Sequence, residues 1–326
     1  MVVPCFDEED SLGELHRRVA TACDAAVGGN WELVLINDGS RDRTWALMTA
    51  LAAGDGRVVA VDLSRNHGHQ LALSAGLALA RGERVLVLDA DLQDPPELVG
   101  DMMAAMDAGA DVVYGQRRRR EGETLFKRAS AAAFYRMLNR LVDVDIPRDT
   151  GDFRLMSRRV VDALVAMPES HRYVRGLVSW LGFRQVALPY DRQERYAGAT
   201  KYPLRRMMAF AIDAVTSFST VPLRVASILG LGCAALSMLL LIYALLAWAG
   251  GDTIPGWTSV IGVVLLLGSI QLVVAGIMGE YLGRLYLESK RRPLFVVREV
   301  VGGGPEPSRP SNGAESEPEP AREAAP

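Results

Sequence analysis

Through the first half of the chain, short apolar runs alternate with helix-length stretches in which apolar positions recur every three or four residues. Trp31 to Asn37, Val58 to Leu63, Arg84 to Leu88 and Asp111 to Gly115 read as strands. Strands separated by helices predict an α/β domain built on a mostly parallel sheet. Met1 to Pro4 reads as the end of a first strand, short enough to suggest that the strand begins before Met1.

The pattern changes in the second half. No charged residue occurs from Val225 to Gly251, and none from Thr253 to Gly279. Each stretch exceeds the roughly 20 residues that cross a bilayer as a helix, so two membrane spans are expected, near 225–249 and 257–281. Arg205, Arg206 and Arg224 precede the first span, and Arg284, Lys290, Arg291 and Arg292 follow the second, whereas the connection between them has no basic residue. That asymmetry places both ends on the cytoplasmic side of the cell's inner or plasma membrane. Between the sheet domain and the first span, Leu204 to Val221 mixes Arg205, Arg206 and Asp213 with Met207, Phe210 and Phe218, as a helix lying in the interface would. The expected plan is a sheet domain over 1–203, an interfacial segment over 204–222, two spans within 223–285, a juxtamembrane segment over 286–301 and a tail over 302–326. The tail is rich in Pro, Glu, Ala and Ser and cannot bury a core.

Composition narrows the class. A net charge of −3 over 326 residues argues against nucleic acid as a partner. The three cysteines are widely spaced and suggest neither a disulfide framework nor a zinc site. Met1-Val2-Val3-Pro4 runs into Phe6-Asp7-Glu8-Glu9 without the basic and apolar regions of a signal peptide, so the sheet domain is expected to stay cytosolic. Nucleotide-phosphate loops of the GxxxxGK[ST] type, GxGxxG turns after the first strand and GxSxG elbows are all missing, which removes support for NTPase, dehydrogenase and hydrolase readings.

The chemistry gathers at strand ends. Val85 to Leu88 runs into Asp89-Ala90-Asp91 and Gln93, and Asp94-Pro95-Pro96-Glu97 then carries the proline and acidic first turn that open a helix. Closely spaced oxygen ligands on such a turn suit Mg²⁺ or Mn²⁺ neutralising a diphosphate. Pro4 to Glu9 follows the first strand and Asn37-Asp38-Gly39-Ser40 the second. Three such turns converge on the carboxyl edge of one sheet, where open α/β sheets bind ligands.

This ordered set resembles the family 2 glycosyltransferases with a GT-A (Rossmann-like) fold. The run Asp89 to Glu97 is similar to the polyprenyl-phosphate branch, which includes dolichyl-phosphate mannose synthase and the bactoprenol glucosyltransferases. Ser64 to Gly68, Tyr114 to Arg117, Thr150 to Leu155, Arg195 to Tyr202 and Gly279 to Arg284 extend the resemblance to about Pro293, and the two spans draw it toward the bactoprenol glucosyltransferase side. The resemblance implies that Pro4, Phe6, Glu8, Ile36 and Asp38 surround the base and ribose of a nucleotide-sugar, that Asp89 and Ala90 meet the ribose-diphosphate, and that Asp91 and Gln93 hold the metal. Arg117, Arg128, Arg195 and Lys201 occupy the positions expected to bind the acceptor phosphate, and Asp152 that of a catalytic carboxylate acting as a base or as an orienting group. Asp7 stands where asparagine is usual and Thr200 where serine is. His67 and His69, too few for a metal site, read as loop residues beside the donor.

The implied reaction is inverting transfer of a hexose, from UDP-glucose in preference to GDP-mannose, to a polyprenyl phosphate such as undecaprenyl phosphate. The implied partners are the nucleotide-sugar, the lipid and the membrane, with room for a homo-oligomer. The rivals are a processive polysaccharide synthase, for which there is no QxxRW block, and a non-catalytic membrane scaffold that binds nucleotide-sugar.

Overall fold

The computed structural model describes residues 1–118, 150–170, 172–191, 221–250 and 256–303. Arg128, Arg195, Lys201, the interfacial segment up to 220 and the tail from 304 lie outside the described residues.

The first half winds as expected. Strand β1 (Val2–Cys5) leads to helix α1 (Leu12–Val27), β2 (Leu33–Asn37) to α2 (Thr44–Gly54), β3 (Val58–Leu63) to α3 (His69–Leu79), and β4 (Arg84–Val87) through a single turn at Pro96–Leu98 to α4 (Val99–Asp107). Then come β5 (Val112–Arg117), β6 (Thr150–Ser157), α5 (Arg158–Ala166), α6 (Val174–Trp180) and β7 (Gln185–Tyr190). Two long helices, α7 (Val221–Ala249) and α8 (Trp257–Ser289), precede a last strand, β8 (Val297–Val301).

All eight strands form one sheet in the order β7-β5-β6-β4-β1-β2-β3-β8. β1 pairs in parallel with both β2 and β4, while β6 runs antiparallel to β4 and β5, and β8 antiparallel to β3. Strands covered on both faces need apolar residues at every position, which is why β2 reads Leu-Val-Leu-Ile with no polar alternation. Val3, Leu33, Leu35, Leu86, Phe153 and Leu155 pack on the α1 and α4 side. Val2, Val34, Ile36, Val85, Val87 and Met156 pack on the α3, α5 and α6 side.

Helix α3 lies so close to the sheet that a Cβ on Gly76 would overlap Val2 Cγ1 and Ile36 Cδ1. Gly76→Ala therefore forces β1 and β2 away from α3. It should cost about 1–3 kcal/mol, read as a lower denaturation midpoint of the detergent-solubilised chain; an unchanged midpoint would show that the core gives way freely.

Both α7 and α8 are long and apolar enough to cross a membrane, with mean hydropathy of 2.4 and 2.2 over their best stretches. They pack against each other and leave Leu231, Leu239, Leu246, Val264, Leu272 and Leu282 exposed. The segment expected to be only juxtamembrane does more than leave the second helix: Val297–Val301 pairs with β3 and closes one side of the sheet. Arg298 carries this return inward, donating to buried Asp62 at 2.9 Å and to the Ser64 carbonyl at 2.6 Å. Near the end of α8, Glu288 accepts the Ser170 N–H at 2.7 Å and the Ser170 hydroxyl at 3.1 Å, so the long helix meets the sheet domain at a second point.

Candidate active site

The carboxyl ends of β1, β2 and β4 meet at one edge of the sheet, and the loops beyond them are stitched together by backbone donors. The Asp7 N–H donates to Ser40 Oγ at 3.0 Å, the Arg41 N–H to Asp7 Oδ1 at 2.8 Å and the Glu8 N–H to Thr44 Oγ1 at 2.9 Å. Asp7 takes φ of 55°, a conformation asparagine and aspartate tolerate better than most residues, so aspartate in place of asparagine preserves the turn. Phe6 projects from this rim with 44% of its surface exposed, an apolar face open to a base. Pro4 is buried within β1, and the Ile36 side chain belongs to the core on the α3 side, leaving backbone as what Ile36 presents toward the edge.

Asp38 follows β2 and is 3% exposed. Its two oxygens accept the backbone N–H groups of His67 and Gly68 at 2.7 and 2.9 Å, joining the second turn to the loop before α3. Burial raises its pKa against the opposing pull of those two donors. Gly39 has φ of 70°, and a Cβ there would stand 2.7 Å from the Asn66 nitrogen, so only glycine lets the turn and that loop approach this closely. Asn37 donates to Asp62 Oδ1 at 2.7 Å and accepts the Ser40 N–H at 3.1 Å.

Beyond β4 the chain turns sharply through Leu92, whose φ is 58°. Ala90 is buried, Asp91 is 8% exposed, and Asp91 Oδ1 accepts the Gln93 N–H at 3.2 Å. Burial lifts the pKa of Asp89 to about 6; His69 opposes this, while the charges of Asp152, Asp94 and Asp91 add to it. Asp89 Oδ1 is buried without a hydrogen-bond donor, although His69 Nε2 stands 3.6 Å away. A pocket with this many carboxylate oxygens and too few donors suits a hard cation. Among the described residues no three His, Cys, Asp or Glu side chains are grouped to cage a metal on their own. Asp91 and Gln93 therefore fit an ion of the Mg²⁺ kind, which takes one or two protein ligands and completes its shell with phosphate and water.

Asp152 sits on β6 with its side chain 9% exposed, and its oxygens are fully engaged. Oδ2 lies 3.2 Å from His69 Nε2 and accepts from Gln70 Nε2 at 2.9 Å, while Oδ1 faces Arg175 at 3.4 Å. Burial works to raise its pKa, but the His69 hydrogen bond and the charges of Arg175 and Arg154 prevail and hold the carboxyl well below the usual range. Gln70 also accepts the Val174 N–H at 3.0 Å, and Arg175 donates to the Thr150 carbonyl at 2.7 Å, so α3, β6 and α6 share one polar knot. His69, expected in a loop, instead begins α3 and is part of this knot.

Arg117 ends β5 and donates through Nε to Tyr190 Oη at 3.5 Å, and Tyr190 in turn donates to buried Asp94. The Tyr190 ring is held edge-on to Phe153, with centroids 5.6 Å apart. A Cβ on Gly151 would stand 3.0 Å from the Arg117 guanidinium, which thus lies directly over the start of β6. Arg117 is brought to the site; the sequence held no signal for the roles of Tyr190 and Asp94 in placing it.

The model of Glycosyl transferase family 2 matches residues 1–165. The chain belongs to glycosyltransferase family 2. An uncharacterized glycosyltransferase, YkcC, of Bacillus subtilis is 45% identical over 305 residues, covering 93% of this chain and 94% of its own. The SfII prophage-derived bactoprenol glucosyl transferase of Shigella flexneri is 37% identical over 306 residues, covering 94% of this chain and 99% of its own. Among solved structures, Staphylococcus aureus TarS 1-349 in complex with UDP-GlcNAc superposes with a TM-score of 0.45 at 16% identity, over 66% of this chain and 64% of that one. This family 2 glycosyltransferase carries Asp38, Asp89 and Asp91 within the matched residues, and its likeness to these two bacterial relatives continues through both apolar helices.

Proposed function

We propose that this glycosyltransferase moves a hexose from UDP-glucose onto a polyprenyl phosphate, undecaprenyl phosphate being the first acceptor to try, with inversion at the anomeric carbon. The observation that carries the reading is the convergence of Asp38, Asp89 and Asp91 at one sheet edge in a chain that continues into two helices fit to cross a membrane. Relatives named as bactoprenol glucosyl transferases align over both parts, which supports the lipid acceptor and a glucosyl donor. On this reading α7 and α8 hold the sheet domain on the cytoplasmic face of the inner or plasma membrane, with both termini on that side.

In this scheme Phe6 and Glu8 border the base, Asp38 fixes the loop at the ribose, and Asp89 and Ala90 line the ribose-diphosphate. Asp91 and Gln93 would hold Mg²⁺ or Mn²⁺, which when bound offsets the charge of the departing diphosphate. Arg117, aimed by Tyr190 and Asp94, offers a guanidinium fork to the acceptor phosphate, and Arg128, Arg195 and Lys201 are proposed to join it. A phosphate monoester with a second pKa near 6 is already ionised at neutral pH, so the attacking oxygen needs placement more than deprotonation. Asp152, saturated with donors, suits the placing role.

The test is incubation of the purified full chain with Mg²⁺ or Mn²⁺, undecaprenyl phosphate and a panel of UDP- and GDP-sugars, with lipid-linked product read by mass spectrometry. Hexosyl lipid from UDP-glucose is expected. Product from GDP-mannose alone would replace the donor, and absence of lipid product from every donor, with nucleotide still bound, would overturn the acceptor.

A further inference from the structure

Asp152 is enclosed, but the residue it holds is not. His69 leaves 43% of its side chain exposed at the first position of α3, beside the Asp89 carboxylate. Its Nε2 edge is taken, 3.2 Å from Asp152 and 3.6 Å from Asp89. Among the described residues its Nδ1 edge meets no protein group. A histidine whose one nitrogen is fixed by a carboxylate presents the other in a defined state: an acceptor if the ring is neutral, a donor if it is charged.

We infer that His69 is a substrate-contacting residue of this transferase, donating from Nδ1 to a phosphate oxygen at the reacting centre, and that Asp152 is the positioning residue that acts through it. The inference rests on the proposed transfer reaction and assigns to His69 the open chemistry that the saturated Asp152 lacks. The neighbourhood supports a charged ring. The groups facing it are Asp152 on β6, Asp89 after β4, Asp38 after β2 and Arg175 on α6, three carboxylates against one cation. Burial lowers the imidazole pKa, but the hydrogen bond to Asp152 and the charges of Asp89 and Asp152 outweigh it and raise the value to about 8. The start of an 11-residue helix, where Asp38 already accepts the N–H groups of His67 and Gly68, adds the positive end of its dipole. The helix end alone would be unremarkable; the carboxylate-fixed, half-exposed ring is the second observation that aims it.

Two phosphates meet at this centre, the diphosphate of the donor and the monoester of the acceptor, and kinetics separate them. His69→Gln keeps a side-chain donor toward Asp152 but cannot carry charge, and it should lower kcat/KM by about 10²-fold. A weaker UDP affinity by calorimetry assigns the contact to the diphosphate; a raised KM for lipid phosphate with unchanged UDP affinity assigns it to the acceptor. Wild-type kcat/KM should fall as pH rises through about 8, where His69 loses its proton, and the variant should be flat there. Asp152→Asn placed on His69→Gln should cost less than on the wild type, since residues acting as a unit are not additive. The measurements use whichever donor and acceptor the wild type turns over, so rejection of polyprenyl phosphate by the wild type counts against the proposed function. Equal rates and equal pH profiles for wild type and His69→Gln on that working pair would overturn the role of His69.

Discussion

Asp91→Ala is expected to remove sugar transfer by about 10³-fold or more while the chain stays folded. Asp91 lies on the sharp turn after β4, 8% exposed, in the company of Asp89 and Asp94. Deleting one carboxylate from a cluster of like charges relieves repulsion, which offsets the loss of the hydrogen bond from the Gln93 N–H, so the chain is expected to stay folded. The catalytic loss follows from the opposite side of the same balance: without the donor's diphosphate neutralised, the leaving group departs with its charge uncompensated in a partly dry cleft. The check is a rate measurement by lipid extraction beside a thermal melt of the same preparation. Wild-type turnover in the variant would remove Asp91 from the metal assignment.

Asp152→Asn should damage both activity and stability. The buried carboxylate balances His69, Arg175 and the charge of Arg154, which is itself only 2% exposed. Breaking such a buried arrangement from one side costs about 3–5 kcal/mol, because the remaining cations stay out of water without their partner. Activity should fall by about 10²-fold as His69 loses its fixed orientation. The pH dependence has a definite sign. A carboxyl held below its unfolded pKa of about 3.9 contributes stability that is fully present above that value and is lost as pH falls toward its folded value. The gap in melting temperature between wild type and Asp152→Asn should thus be widest between about pH 5 and 6, narrow below about 4, and also shrink as pH rises through about 8, where His69, whose raised pKa depends on Asp152, loses its proton. A gap that stays unchanged as pH falls below about 4 would contradict the depressed carboxyl.

The parallel half of the sheet was legible because buried strands need unbroken apolar runs, and β2 and β3 have them. The meeting of three turns was legible because aspartate, glycine and proline cluster after successive strands, and the parallel pairing of β1 with β2 and β4 brings those turns to one edge. β6 was not read as a strand: Thr150-Gly151-Asp152-Phe153-Arg154 alternates, but its polar side carries Asp152 and Arg154 into a buried knot, so polarity no longer marked the solvent face. β7 and β8 were missed for a related reason. Each lies at a side of the sheet and is only partly buried, and neighbours far away in sequence make them strands. His69 escaped as a site residue because one histidine in a loop-like run says nothing until α3 and β6 are brought together.

The return of the chain to β3 also constrains the order in which the molecule can be made. Asp62 and Arg298 are 236 positions apart, and both long apolar helices lie between them. At about 5–20 residues per second, on the order of tens of seconds of synthesis separate β3 from its partner. Throughout that interval the backbone groups of β3 on that side form an open edge, of the kind that recruits foreign strands. Completion of the sheet is thereby a report that the helical hairpin has been made. A ribosome that stops short leaves a domain with the turn after β2 built but with Asp62, the partner of Asn37, stripped of its arginine, and with a sticky border exposed to its neighbours.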